Sequence, residues 1–474
     1  MSTAANQPEV QLSTGRVRGL ESDGIRRFLG IPYALPPFGE RRFRAPEPVT
    51  AWPGVREAVA FGPTAPQTPY PGAIGELLPS IAIDGDDILT VNVWAADGAK
   101  DAPVVLWLHG GALERGASAL DGYDGTPFAV DGIVTVTANY RLGSEGFGVL
   151  DGAPLNLGLR DAALALHWVH REIAAFGGDP ARITVMGESA GGALVAALLS
   201  RGETRALIAG AIIQSGPLTA STPETAGRAT KAIAARLGVP ATRDAFLALD
   251  PHELLRARAE ITAGKTLLSG TPGFALAIDD ETLPVSPHLA LRETTVPLLI
   301  GTNTDEYRLW LTPDDLAGVG RVKSWVFRRA LRVPERAAAA VRAALPAATP
   351  GEVLGQLVTD RVLRGPASAV AAARTSPTHL YEFAWQSPVR DLRAAHAVEI
   401  AFVFGRVDAP DALPLSGPDA PAALAREMHA AWVEFIRTGA PGWEPYAPGR
   451  MTRVFDERSQ TVAQRRAGVL DALG

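Results

Sequence analysis

The chain has 474 residues, 47% of them hydrophobic and 20% charged, which is ample apolar material for a large folded core. Its formal charge of −6 sets 45 Lys and Arg against 51 Asp and Glu, so no concentrated cationic surface is expected to neutralise phosphates, and a nucleic-acid partner is not expected. The absence of cysteine excludes disulfides, thiolate nucleophiles and cysteine-ligated metals, and eight histidines without an H-E-x-x-H spacing give no reason to expect a metal or any other cofactor.

In chain order, the opening MSTAANQPEVQLSTG lacks the charged start and apolar stretch of a secretory signal. No later run approaches the ~18 apolar residues of a membrane span, so a cytoplasmic protein without a membrane partner is expected. From residue 104 onward, short runs rich in Val and Ile alternate with longer Ala/Leu-rich patterns, the signature of an α/β sheet covered by helices on both faces. Expected strands are VVLWLH (104–109), IVTVTAN (133–139), ITVMG (183–187), GAIIQS (210–215), VPLLIG (296–301) and THLYEFAW (378–385), with helices over 161–176 and 190–200. Two stretches, about 217–290 and 307–375, carry no strand signal and read as helical insertions over the sheet. Within the second, the basic run 321–337 reads as a solvated helix face, and the Ala-rich 336–350 as a helix ending at a proline-marked loop.

Gly187-Glu188-Ser189-Ala190-Gly191 joins an expected strand to an expected helix, which is the context a G-x-S-x-G nucleophile elbow requires. Upstream, LWLHGGALERG (106–116) follows a strand and offers glycines at 110 and 111, where amides could turn toward an oxyanion. His109 in that run reads as a structural histidine holding the loop. The acid and base of such a site follow the serine in the order Ser, Asp/Glu, His. For the acid, IGTNTDEYRLW (300–310) leaves a strand's carboxyl end and offers both Asp305 and Glu306, which position alone does not separate. Of the downstream histidines, His252 and His288 fall in the strand-poor insertion, His379 inside a strand, and His429 on an apolar helix as a core residue. His396, on the loop after a strand, is the one placed to reach over the sheet.

Together with these residues, FLGIPYALPPFGERRFRAPEPV (28–49), DDILTVNVW (86–94), NYRLGSEGF (139–147), NLGLRDAALALHWVHREIAAFGGDPARITVMGESAGG (156–192) and WVEFIRTGAPGW (432–443) resemble the type-B carboxylesterases. That group contains cholinesterases and bacterial para-nitrobenzyl esterases. The resemblance implies one α/β-hydrolase domain over 1–474, with a mixed, mostly parallel central sheet, helices on both faces and helical insertions over the active site. It implies Ser189 as nucleophile, Glu306 as acid, His396 as base, the amides of Gly111, Ala112 and Ala190 as oxyanion hole, and Ser215 as a supporting serine. Leu113, where the family often has phenylalanine, is expected to line the substrate pocket, and Phe274, Trp310, Trp325 and Phe327 are further aromatics of the insertions. The expected reaction is cofactor-free hydrolysis of neutral, largely apolar small-molecule esters, aryl esters and carbamates among them, by a monomer. A catalytically silent binding protein, or an amide hydrolase or acyltransferase on the same scaffold, are the alternatives.

The chain also departs from the family pattern. Ala112, Tyr307 and Ala397 stand where the family usually has glycine, and a positive φ at 307 or 397 would carry a strain on the order of 1–2 kcal/mol. Ala65 and Ile88 stand where secreted members close a disulfide, and the loop 65–88 holds no tryptophan to stack a quaternary ammonium, which disfavours choline esters.

Overall fold

A computed structural model describes residues 7–265 and 269–473. Residues 1–6 of the N-terminal stretch and 266–268 of the first expected insertion lie outside the described residues. Fourteen strands are described: β1 (Glu9–Leu12), β2 (Gly15–Arg18), β3 (Leu20–Ser22), β4 (Ile25–Pro32), β5 (Val55–Glu57), β6 (Thr90–Ala96), β7 (Ala102–Leu108), β8 (Val134–Ala138), β9 (Gly178–Glu188), β10 (Gly210–Gln214), β11 (Leu298–Asn303), β12 (Thr378–Phe383), β13 (Met451–Phe455) and β14 (Gln460–Ala463). Eleven form one sheet in the order β14-β13-β12-β11-β10-β9-β7-β8-β6-β4-β3, and β1-β2-β5 form a small separate one. From β8 to β13 the neighbours pair in parallel, while β3, β4, β6 and β14 pair antiparallel at the two ends. The large sheet is therefore mixed and mostly parallel.

Every residue of β7, β10, β11 and β12 is buried, because helices cover both faces. Alternation along the strands then sorts side chains between two cores. Val104, Leu106, Leu108, Ile213 and Ile300 face one, against Leu166 of the helix Leu157–Glu172 and Leu194 of the helix Ala190–Leu199. Val105, Trp107, Ile212 and Leu299 face the other, against Met428, Trp432 and Phe435 of the helix Ala422–Thr438.

Between β10 and β11 the described elements are the helices Pro223–Ala226, Arg228–Leu237, Arg243–Leu247, Pro251–Thr262 and Pro287–Glu293. Between β11 and β12 they are the 3-10 turn Glu306–Leu309, the helices Pro313–Ala317, Arg321–Ala330, Glu335–Ala344 and Pro350–Thr359, the π turn Asp360–Arg364, and the helix Gly365–Ala373. The basic helix Arg321–Ala330 buries Ser324 and Arg328 and leaves Val322 and Trp325 exposed alongside its cations. Among the described residues, no helix is long and apolar enough to cross a membrane.

The six strands read from the sequence are present, but the N-terminal strands and β13–β14 carry weaker signals. β2 and β5 are three- or four-residue pieces, partly exposed and bearing charges. β6 is fully buried for all but its last residue, yet its period is interrupted by Asn92, which reaches three internal partners: its Nδ2 donates to Ser118 Oγ at 3.0 Å and Thr137 Oγ1 at 2.9 Å, and its Oδ1 accepts from the Gly30 amide at 2.9 Å.

Candidate active site

Ser189 sits where β9 ends and the helix Ala190–Leu199 begins, half-buried, at φ 53° and ψ −120°. An L-residue pays for a positive φ, so this turn stores strain that the surrounding backbone must hold. Its two glycines are sterically required. A Cβ on Gly187 would lie 2.5 Å from the carbonyl carbon of Gly191, and one on Gly191 would lie 1.9 Å from the Leu108 oxygen. The tight turn therefore lets the strand beside β7 and the helix close together while leaving the serine at the tip.

Gly111, Ala112 and Leu113 all adopt positive φ, at 117°, 57° and 62°. The amides of Gly111 and Ala112 make no backbone hydrogen bond among the described residues. Ala190 opens its helix, where an amide has no partner one turn back. These three amides are available to an anion at the serine. His109, just upstream, is buried and stacks on Tyr140 at 4.5 Å with its Nδ1 2.8 Å from the Gly110 oxygen. Burial pushes its pKa down to about 4, so it remains a neutral structural group.

The acid and the base meet on two loops beyond the sheet's carboxyl edge. His396 Nδ1 lies 2.6 Å from Glu306 Oε2. The other Glu306 oxygen accepts from Ser215 Oγ at 2.6 Å and from the Asn303 amide at 2.7 Å. Of the two acids that position alone left open, Glu306 faces the histidine, whereas Asp305 is bound through its amide to the Ala394 oxygen at 2.9 Å and lies near Arg308, Arg466, Arg393 and Arg364. The remaining His396 nitrogen, Nε2, lies 2.9 Å from Glu188 Oε1, close enough for charge interaction but misaligned for a hydrogen bond, so that both atoms are buried without a hydrogen-bonded partner. Burial works against the His396 cation, but the carboxylates of Glu188 and Glu306 outweigh it and hold the imidazole well above its ordinary pKa.

Ser189 and His396 share a cleft, with Gly110, Gly111 and Ala112 on its wall. Tyr70, Leu78, Tyr123, Trp310, Ile400 and Leu415 make the rest of it predominantly apolar. Trp310 belongs to this wall, its ring 4.5 Å from that of His396. Leu113 does not. The positive φ after the amides turns its side chain into the main core, and its carbonyl accepts from the Gly143 amide at 2.7 Å, so the expectation that it lines the pocket is corrected. Phe274 lines a separate small cavity with Glu114 and Arg258, Trp325 is half exposed, and neither it nor Phe327 borders the cleft. None of His252, His288, His379 and His429 borders it either, and His429 is held in the second core by the Val403 oxygen at 2.7 Å.

Of the departures, Ala397 does take a positive φ of 68°, whereas Tyr307 lies in the 3-10 turn Glu306–Leu309 at ordinary dihedrals and packs with Leu311 and Leu316. Sequence reasoning gave no role to two further carboxylates. Besides Glu188, Glu399 lies wholly buried behind the histidine, its Oε2 accepting from Asn303 Nδ2 at 2.6 Å and its Oε1 from Gln214 Nε2 at 3.3 Å. Burial, reinforced by the charges of Glu188 and Glu306, pushes Glu399 up to about 8. Their signal lay in plain view as the variable position of G-x-S-x-G and the third residue after His396. Among the described residues, no cluster of His, Asp and Glu could hold a metal ion.

A mostly parallel sheet with a strained serine elbow at its carboxyl edge, and an acid and a histidine on later loops, defines an α/β-hydrolase. The model of the carboxylesterase family matches residues 6–462. The chain is 36% identical over 446 residues to the para-nitrobenzyl esterase of Bacillus subtilis (strain 168), covering 91% of this chain and 90% of that protein. It is 35% identical over 460 residues to the phenmedipham hydrolase of Pseudarthrobacter oxydans, covering 92% and 91%. Among solved structures, a carboxylesterase of Geobacillus stearothermophilus superposes with a TM-score of 0.87 at 36% identity, over 98% of this chain and all of that one. The chain belongs to the carboxylesterase family and is a carboxylic ester hydrolase of the serine type.

Proposed function

We propose that Ser189, His396 and Glu306 form the catalytic triad of this esterase, with Gly111, Ala112 and Ala190 as the oxyanion hole and Ser215 steadying the acid. The observation that carries the reading is the chain of short contacts Ser215–Glu306–His396, 2.6 Å at each link, ending at an imidazole nitrogen free of hydrogen bonds in the cleft that Ser189 enters. In this reading, Nε2 of a neutral His396 takes the Ser189 proton as Oγ bonds to the ester carbonyl carbon. The carbonyl electron pair moves onto oxygen, where the three amides stabilise it. When the carbonyl re-forms, the ester C–O bond breaks and His396 protonates the departing alcohol. Water then repeats the sequence against the acyl-serine and releases the acid.

The apolar cleft favours neutral esters with apolar acyl and alcohol parts, including aryl esters, and the resemblance to a phenmedipham hydrolase extends the proposal to carbamates. We assign the enzyme to the cytoplasm, a reading supported by the absence of cysteine. Ser189→Ala should lower turnover of p-nitrophenyl acetate by at least about 10⁴-fold with the fold intact by circular dichroism. Retained turnover in that variant rejects the triad, and a panel of aryl esters, alkyl esters, carbamates and anilides assayed on the wild type orders the substrate classes.

A further inference from the structure

The acid loop is gripped from the side away from the cleft. Arg364, buried in the π turn Asp360–Arg364, donates through Nη2 to the carbonyl of Asn303 at 2.7 Å and of Thr304 at 3.2 Å, while Nη1 is paired with Asp360. The Thr304 hydroxyl donates to Glu382 Oε1 at 2.8 Å and accepts from Arg465 Nη2 at 3.1 Å. Glu382 is itself bound by Arg465 Nε at 3.0 Å and Arg466 Nη2 at 3.2 Å. Burial opposes its charge, but Arg364, Arg466 and Arg465 overcome that and hold its pKa down to about 2. The two residues so held precede Asp305 and Glu306, and the Asn303 amide is one of the two donors to Glu306 Oε1, beside Ser215 Oγ. Asn303 also binds the histidine loop, its Nδ2 donating to the Ala395 carbonyl at 2.7 Å.

We propose that Arg364 is a positioning residue for Glu306, and that Arg465 and Arg466, acting through Glu382, make the C-terminal segment part of the support of the acid. This inference rests on the reading of Glu306 as the triad acid. Arg364 touches neither His396 nor the cleft. It acts by fixing two successive carbonyls, and so directing the Asn303 amide, from which the carboxylate hangs. A guanidinium suits the task because its planar fork meets two carbonyls and a carboxylate in fixed directions, whereas an ammonium is a point donor on a flexible stem. A carboxylate displaced by a fraction of an ångström holds the imidazole less well, and misplacement by about 1 Å can cost on the order of 100-fold in rate. The unpaired Nε of Arg364 and Oδ2 of Asp360 show that the pair is arranged for the loop rather than for its own full satisfaction.

The test compares Arg364→Lys and Arg465→Gln with the wild-type enzyme on p-nitrophenyl acetate, reading kcat, KM, the pH profile of kcat/KM and the melting temperature. Arg364→Lys should lower kcat about 10- to 100-fold with KM within about twofold, the pattern of an interaction made only at the transition state. The acid limb of kcat/KM should move to lower pH as Glu306 loosens from the imidazole. Arg465, whose side chain is 38% exposed, can be neutralised without burying a new charge, and Arg465→Gln should give the same pattern at about 3- to 10-fold. If Arg364→Lys does not fold, Arg465→Gln decides alone. Folded variants with wild-type kcat, KM and pH profile overturn the positioning role, as does a melting loss with kinetics unchanged. Ser189→Ala and Glu306→Gln, run beside them, separate the two claims: if these stay active the triad reading fails, and if they are silenced while the arginine variants match wild type only this inference fails.

Discussion

Replacing Glu399 by glutamine should change how stability depends on pH. In the folded protein, burial together with the nearby Glu188 and Glu306 charges raises this carboxyl to about 8, against an ordinary value of ~4.3 in the unfolded chain. The folded state therefore binds the proton more tightly, so its contribution to stability is complete below about pH 4 and is lost as pH rises toward 8. At ~1.36 kcal/mol per pH unit, the wild type should lose on the order of 2–3 kcal/mol from this one group between pH 6 and pH 9. Glutamine has nearly the same shape, keeps an oxygen for the Asn303 amide group, and cannot ionise. Urea unfolding followed by tryptophan fluorescence at pH 6, 7, 8 and 9 would give the two stability curves. The glutamine variant should be the flatter of the two, with the difference between the curves shifting by about that amount in its favour over the interval. Curves that run parallel from pH 6 to pH 9 would refute the assignment of a protonated carboxyl to this position, because titrating groups distant from Glu399 cancel in the difference.

The same cluster sets the pH range of activity. His396 must be neutral to take a proton, and the Glu188 carboxylate 2.9 Å from its Nε2 favours the cation, so Glu188→Gln should shift the acid limb of kcat/KM to lower pH, and an unmoved limb would contradict that coupling. Ala397→Gly should relieve the positive φ of 68° and raise stability by about 0.5–1 kcal/mol after the added flexibility of the unfolded glycine, measurable as a higher melting temperature. Asp161→Asn should destabilise strongly, by about 3–5 kcal/mol, because it leaves the Arg141 guanidinium, bound at 2.8 and 2.6 Å and 1% exposed, without its counter-charge in the core. Chemical denaturation of that variant gives the number directly.

What could be read in the sequence followed the range over which each residue acts. The parallel strands announce themselves because burial on both faces makes them continuous apolar runs, and the elbow because strand, two small residues and helix are contiguous in the chain. Partners brought together from distant segments left weaker traces. Spacing alone could not choose between Asp305 and Glu306, since adjacent residues in a turn point in different directions, and only the path of the loop decides which one meets a histidine 90 positions away. Leu113 departs from its expected place for the same reason in reverse. Being next in sequence to the oxyanion amides does not put a side chain beside them when the intervening backbone runs at positive φ. Glu188 and Glu399 stand at marked motif positions, but their burial, like that of Arg364, is not legible, because a charged residue in a sequence reads as solvated and it takes the fold to bury it. Once buried, each must be met by other groups, so the same physics that concealed these residues makes them informative in the structure. Three carboxyl groups around one imidazole are costly to bury, and that cost is recovered only if the histidine can carry charge during the reaction and the acid loop is held still enough to stabilise it.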